Sequence, residues 1–233
     1  MTLGYAFLGG LLPSLIWLYF ILQEDSRCPE PKKLITLAFF VGMLMVPLAL
    51  PLEQAARSGL IGSTNILLVW ATIEELLKYG VAAAFILWRR AIDEPSDYVI
   101  YMITVALGFA AAENMLFLIT PLAHGSLLMG IATSDLRFIG STLLHVVASS
   151  AVGFALAFAS MRRPSHRILA VTVGLILAVA LHTLFNTLII SQGDSMALMA
   201  FFLVWLLAVA LFAALEILKY FEYRTLPKDI CPT

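Results

Sequence analysis

A polytopic bundle of about seven transmembrane α-helices is the fold this sequence predicts, and three observations carry it. The 233 residues are 61% hydrophobic and only 12% charged, with mean hydropathy +0.97; soluble domains are about one quarter charged. The apolar residues gather into seven stretches, each long enough to cross a hydrocarbon core about 30 Å thick. Basic residues fall in alternate loops, as they do when a chain threads a membrane repeatedly. The chain reads as one integral membrane domain over 1–233, all-α, with no extramembrane module large enough to fold alone.

The first stretch, 4–22, lacks the basic leader and small-residue cleavage site of a removable signal peptide, so it reads as a span. Arg27, Lys32 and Lys33 follow it. Stretch 34–52 leads to a loop holding only Arg57, and stretch 66–88 ends at Arg89 and Arg90. After 98–121 comes a segment, 122–136, that is apolar in part but too short to span. It reads as an interfacial or re-entrant element. Stretch 138–160, entered at Arg137, ends at Arg162, Arg163 and Arg167. Stretch 168–190 is followed by a loop without basic residues, and 196–218 ends at Lys219, Arg224 and Lys228. The positive-inside rule then places the N-terminus outside and the C-terminus in the cytoplasm. Cys28 and Cys231 both fall on the reducing side, where unmodified thiols are expected. A net charge of −1, with the Arg and Lys clusters explained by topology, gives no reason to invoke nucleic acid. No Gly-rich phosphate loop, CxxC pair or internal repeat stands out.

Four of the spans carry ionisable groups, at a cost of at least about 2.5 kcal/mol each at mid-membrane unless paired or hydrated. They are Glu74, Glu75 and Lys78 in the third, Glu113 in the fourth, His145 in the fifth, and His182 with Asn186 in the sixth. Counted at 1.5 Å per residue, Glu74, Glu113, His145 and His182 all lie roughly 10–12 Å below the outer edge of the hydrocarbon. Such a layer marks a place where chemistry or transport happens. Glu74 and Lys78 share a face at i,i+4, the favourable order for a helical ion pair. His182 and Asn186 share a face likewise, and Ser141, His145 and Ser149 form a polar stripe. Ala, Gly and Ser surround these positions at 108–112 and 148–151, so the helices can approach closely. Glu75 points about 100° from Glu74 and is free to bind a neighbouring helix.

These groups can serve hydrolysis, with a carboxylate taking a proton from water and Asn and His donors stabilising an oxyanion. His145, His182 and Glu113 also form a two-His-one-carboxylate set of the kind that holds catalytic zinc. Zinc therefore stands as an alternative to a metal-free glutamate mechanism. An ion-coupled transporter would use the same layer, and a helix-binding scaffold would use the small-residue faces.

The motifs favour hydrolysis over transport or scaffolding and leave zinc and metal-free mechanisms both open. Glu74-Glu75-Leu76-Leu77-Lys78 is EExxK, Phe109 to Glu113 is FxxxE followed by Asn114, and His182 to Asn186 is HxxxN. Residues 93–97 and 141–145 fit the same ordered pattern. Over about 70–190 the chain resembles the PrsW family of intramembrane proteases, within the wider group that includes type II CAAX prenyl endopeptidases. The resemblance implies a prokaryotic multi-pass membrane enzyme hydrolysing a peptide bond in a membrane-anchored, anti-sigma-factor-like protein near the extracytoplasmic side. It also implies that Glu74 is the general base and that His182 and Asn186 stabilise the oxyanion. Lys78 replaces an Arg found one position later in the CAAX branch, and Glu113 replaces a His. The partner of Glu74 thus stays open between Glu113 and His145. A CAAX-type prenyl protease ranks lower, because it needs a site open to the cytosol.

Overall fold

The computed structural model describes residues 2–24, 28–59, 63–123, 140–161, 166–191 and 194–225. Within them the chain forms seven helices and no strand: α1 Thr2–Glu24, α2 Lys32–Gly59, α3 Ser63–Phe85, α4 Pro95–Ala123, α5 Thr142–Ser160, α6 Arg167–Ser191 and α7 Asp194–Thr225. Six of them are long and apolar enough to cross a membrane. The exception is α3, whose 23 residues would suffice in length but which holds Glu74, Glu75 and Lys78 in its middle. The charge that disqualifies α3 by composition is the charge of the site. Of the sequence-predicted 122–136 segment, Leu122 and Ala123 close α4, and the rest lies outside the described residues.

A helix apolar on every face belongs in the middle of a bundle, and α4 is that helix. Residues 96–111 are buried without interruption. It packs most extensively against α5, α1 and α2, while α6 links α5 to α3, and α7 lies along α5 and α6. Close approach depends on missing side chains. A Cβ on Gly42 of α2 would lie 2.1 Å from the Val105 carbonyl oxygen, and one on Gly108 of α4 would lie 1.9 Å from that of Phe39. The α2 and α4 backbones therefore touch at reciprocal glycines, as the small-residue stretch 108–112 predicts. The outer faces of α1, α6 and α7 expose Leu8, Phe20, Ile176, Phe202 and Val209, suited to lipid.

The end of the bundle holding the α1–α2 connection is tied by polar contacts. Lys219 Nζ on α7 donates to Glu24 Oε2 at 2.6 Å. The backbone N–H and Oγ of Ser96 donate to the two oxygens of Glu222, at 2.6 and 3.0 Å. The Tyr101 hydroxyl donates to Glu30. These contacts correct the cysteine expectation: Cys28 is disulfide-bonded. The redox argument weighed compartment alone. It could not see that folding draws the α1–α2 connection to the end of α7, where Lys219 meets Glu24. The chain's other cysteine, Cys231, lies outside the described residues.

Candidate active site

The polar layer converges. Lys78 is fully buried, and its ammonium is the hub. It lies 2.8 Å from Glu75 Oε1, 3.3 Å from Glu74 Oε2 and 2.8 Å from Nδ1 of His145 on α5. The shortest carboxylate contact is thus with Glu75 at i,i+3, whereas helical spacing favours the i,i+4 partner Glu74. The difference arises because Glu74 faces a cavity and Glu75 faces protein. The Lys78 ammonium also sits 4.3 Å from the centroid of Phe109, which closes the site from α4.

Glu75 has no exposed surface, and both oxygens are engaged. Oε1 receives Lys78 and lies 2.9 Å from Nδ1 of His182 on α6, while Oε2 accepts from Ser149 Oγ at 2.8 Å. One carboxylate therefore joins α3, α5 and α6. Here lies the contact with a neighbouring helix that its 100° offset suggests.

The hydrogen-bond network assigns the imidazoles. Glu75 is an acceptor, so Nδ1–H of His182 donates to it and leaves Nε2 as a lone pair, 3.8 Å from Glu74 Oε2. His145 Nδ1 accepts from Lys78, so its Nε2–H donates to Glu113 Oε2 at 2.9 Å. His145 Nδ1 is 3.9 Å from Glu74 Oε2. The two rings meet edge to face at 5.1 Å. Around Glu74, then, electron-pair donors face one another across gaps too wide for direct bonds.

Glu74, His145 and His182 each offer a donor atom, all within 4.8 Å of one another. Among the described residues this is the group close enough to share a metal ion, rather than the His145, His182 and Glu113 set suggested by composition. Glu113 stands behind His145 and orients it. A carboxylate and two imidazoles form a catalytic zinc donor set, and a carboxylate on the far nitrogen of each ring is the usual support. On donor chemistry the residues fit such an ion. Lys78 occupies one face of the same group.

A cavity of about 990 Å³ opens onto this cluster. Glu74, Glu113, Ser141, His145, His182 and Asn186 line its polar floor. Its walls are apolar and come from six helices, α2 to α7. Glu113 keeps 22% of its side chain exposed, against 8% for Glu74. Asn114 lies beside the cluster, its Nδ2 donating to Thr142 Oγ1 at 2.9 Å, so it ties α4 to α5. Glu53 of α2 also lines the cavity, and the sequence reading did not single it out. A signal was present: Val46, Ala49, Leu50 and Glu53 form an i, i+3, i+4, i+7 stripe whose last member is charged.

Comparisons with known proteins identify the family. A family model described as PrsW family intramembrane metalloprotease matches residues 30–215. The chain is 28% identical over 148 residues to Protease PrsW of Geobacillus kaustophilus, a match that spans only 62% of either protein. It is 23% identical over 200 residues to Protease PrsW of Bacillus subtilis, covering 84% of this chain and 88% of that protein. With Protease PrsW of Oceanobacillus iheyensis the identity is 27% over 207 residues, covering 87% and 91%. No solved structure matches significantly. On the strength of the family match across most of its length, the chain belongs to the PrsW family of intramembrane proteases.

Proposed function

We propose that the chain is an intramembrane endopeptidase that cuts a membrane-anchored protein in the extracytoplasmic half of the bilayer, at the Glu74, His145 and His182 cluster. The observation that carries the reading is the convergence of these three donors, from three helices, at the floor of an apolar-walled cavity. The side of the membrane follows from the basic loops, and an anti-sigma-factor-like substrate follows from the family resemblance.

In the reading the donor set supports best, Glu74, His145 and His182 hold a divalent metal. An ion there would supply Lewis-acid polarisation of the scissile carbonyl and acidify water. Glu75 and Glu113 fix the rings by accepting from His182 and His145. Glu75 is a positioning residue, since neither of its oxygens is free. Glu113 is the cavity-facing carboxylate able to move a proton between water and the leaving amine. Asn186, one turn from His182 on the cavity wall, donates to the developing oxyanion. The apolar walls keep bulk water from the reacting groups and strengthen each of these interactions.

A second reading rests on the Lys78–His145 contact of 2.8 Å. The ammonium there already supplies a positive charge, and Glu74 acts as the base without metal. In both readings Glu74 touches the reacting atoms.

Purified protein reconstituted with single-span peptides, with new termini found by mass spectrometry, tests the proposal. Cleavage by wild type, absent in Glu74→Gln, is the expected result. Loss with chelator and recovery with zinc supports the metal reading; full activity in chelator supports the second. Cleavage that persists in Glu74→Gln sinks both.

A further inference from the structure

We propose that Glu53 reads a positively charged side chain of the substrate, about two residues from the bond that is cut. The inference rests on the cavity being a peptide-binding site and names what that site selects.

Glu53 is half-buried on the cavity face of α2, among Val46, Ala49 and Leu50, and faces Leu67 and Trp70 of α3. Its backbone carbonyl accepts from Trp70 Nε1 at 3.0 Å, which fixes the carboxylate's place on the wall. Among the described residues that carboxylate has neither a hydrogen-bond nor an ion-pair partner. A charge in such surroundings is stabilised chiefly by an opposite one. Glu74 and Glu113 act on it electrostatically as like charges, and Lys78 and His182 as opposite ones. Lys78 is fully buried and gives its protons to Glu74, Glu75 and His145. Glu53 thus makes no direct bond to the catalytic network and adds an acid to the cavity wall, a partner for an incoming cation.

Position follows from the same contact. Trp70 and Glu74 are one turn apart on α3, so Glu53 is anchored about 6 Å from Glu74 measured along the α3 axis, toward the α3 N-terminus. An extended peptide advances about 3.3 Å per residue, so that distance spans about two residues. The cation belongs on the substrate side facing the α3 N-terminus, the extracytoplasmic side in the orientation read from the basic loops. Lys and Arg, which can lay their stems along apolar walls, fit it.

The test uses N-acetylated single-span peptides that carry Lys, Gln or Glu at each of four successive positions at the end of the apolar run. Binding to the full-length protein in nanodiscs is read by fluorescence anisotropy, and cleavage is followed in parallel. Wild type is expected to bind the Lys peptide about tenfold more tightly than the Glu peptide at one or two adjacent positions. Glu53→Gln removes the preference, Glu53→Lys inverts it, and Glu53→Asp retains it. If a variant misfolds, a photocrosslinker at Leu50 in the otherwise wild-type chain serves instead, and the Lys peptide should crosslink more than the Glu peptide. No charge preference in wild type, or a preference unchanged in Glu53→Gln, overturns the proposal. Charge-selective binding without cleavage of any peptide removes the protease reading and leaves this contact standing. Cleavage without charge preference removes this contact alone.

Discussion

Two regions of this molecule bury carboxylates, and they lie about 25 Å apart along α4, taking 1.5 Å per residue from Ser96 to Glu113. In one, Glu74, Glu75 and Glu113 meet Lys78, His145 and His182 beside a cavity. In the other, Glu222 accepts from Ser96, Glu30 accepts from Tyr101, and Asp97 Oδ2 accepts the backbone N–H groups of Asp93 and Glu94 at the start of α4. Both regions use acids to join helices distant in sequence. In the first, the partners are an ammonium and two imidazoles, groups that gain and lose protons, and Glu74, His145 and His182 open onto the cavity. In the second, the partners are hydroxyls, backbone amides and, between Glu30 and Asp97, another carboxyl. Buried charge alone therefore does not mark a site; buried charge with titrating partners at a cavity does.

The sharpest way to break this comparison is Glu74→Gln. It keeps the shape and removes the charge, and peptide cleavage should fall by at least about 10³-fold, within the range for a lost acid–base group. Glu75→Gln comes next and acts differently. It removes the charge and turns one of two accepting oxygens into a donor, so Lys78, His182 and Ser149 cannot all stay paired, and breaking a buried ion pair costs about 3–5 kcal/mol. Thermal unfolding in detergent should show that loss, and cleavage should fall with it. If Glu75→Gln leaves stability unchanged, the acid is not the joint between α3, α5 and α6.

At the other end, Ser96→Ala removes one side-chain bond to Glu222 and keeps the backbone one. Stability should drop by about 1 kcal/mol, while cleavage per folded molecule stays at the wild-type level. A large loss of activity would mean that the two regions are coupled. The smallest effect is pH dependence at Glu30. Burial, the largest influence, raises its pKa above the ordinary 4.5, outweighing the lowering by its bonds to Asp97 and Tyr101. A raised folded value stabilises fully below the unfolded value and is lost as pH climbs through the folded one. Wild type should therefore lose Tm as pH rises above 4.5, and Glu30→Gln should flatten that slope.

Much of this was legible before folding because the signals are local. Hydropathy over about 20 residues and basic loops are properties of single segments, so all seven helices are found, α3 included despite its charges. Counting residues along the spans puts Glu74, Glu113, His145 and His182 level, with Asn186 one turn to one side and Lys78 one turn to the other, and the structure brings these residues together. Glu53 went unnoticed because a single acid near the end of a span resembles an interfacial residue. The bond at Cys28 went unnoticed because pairing is decided by tertiary contacts, which compartment and composition do not report.

By itself, then, the sequence determined the helices and where along each the charged groups fall, since helix rise and hydrophobic run length require nothing from neighbours. Only the tertiary structure decided who meets whom in that layer. It set Glu74, not Glu113, beside both imidazoles, and turned Glu75 into the joint of three helices. The physical reason is rotation. Which face a helix turns to its neighbours depends on how small residues such as Gly42 and Gly108 let backbones touch, and a turn of 100° exchanges one glutamate for the next.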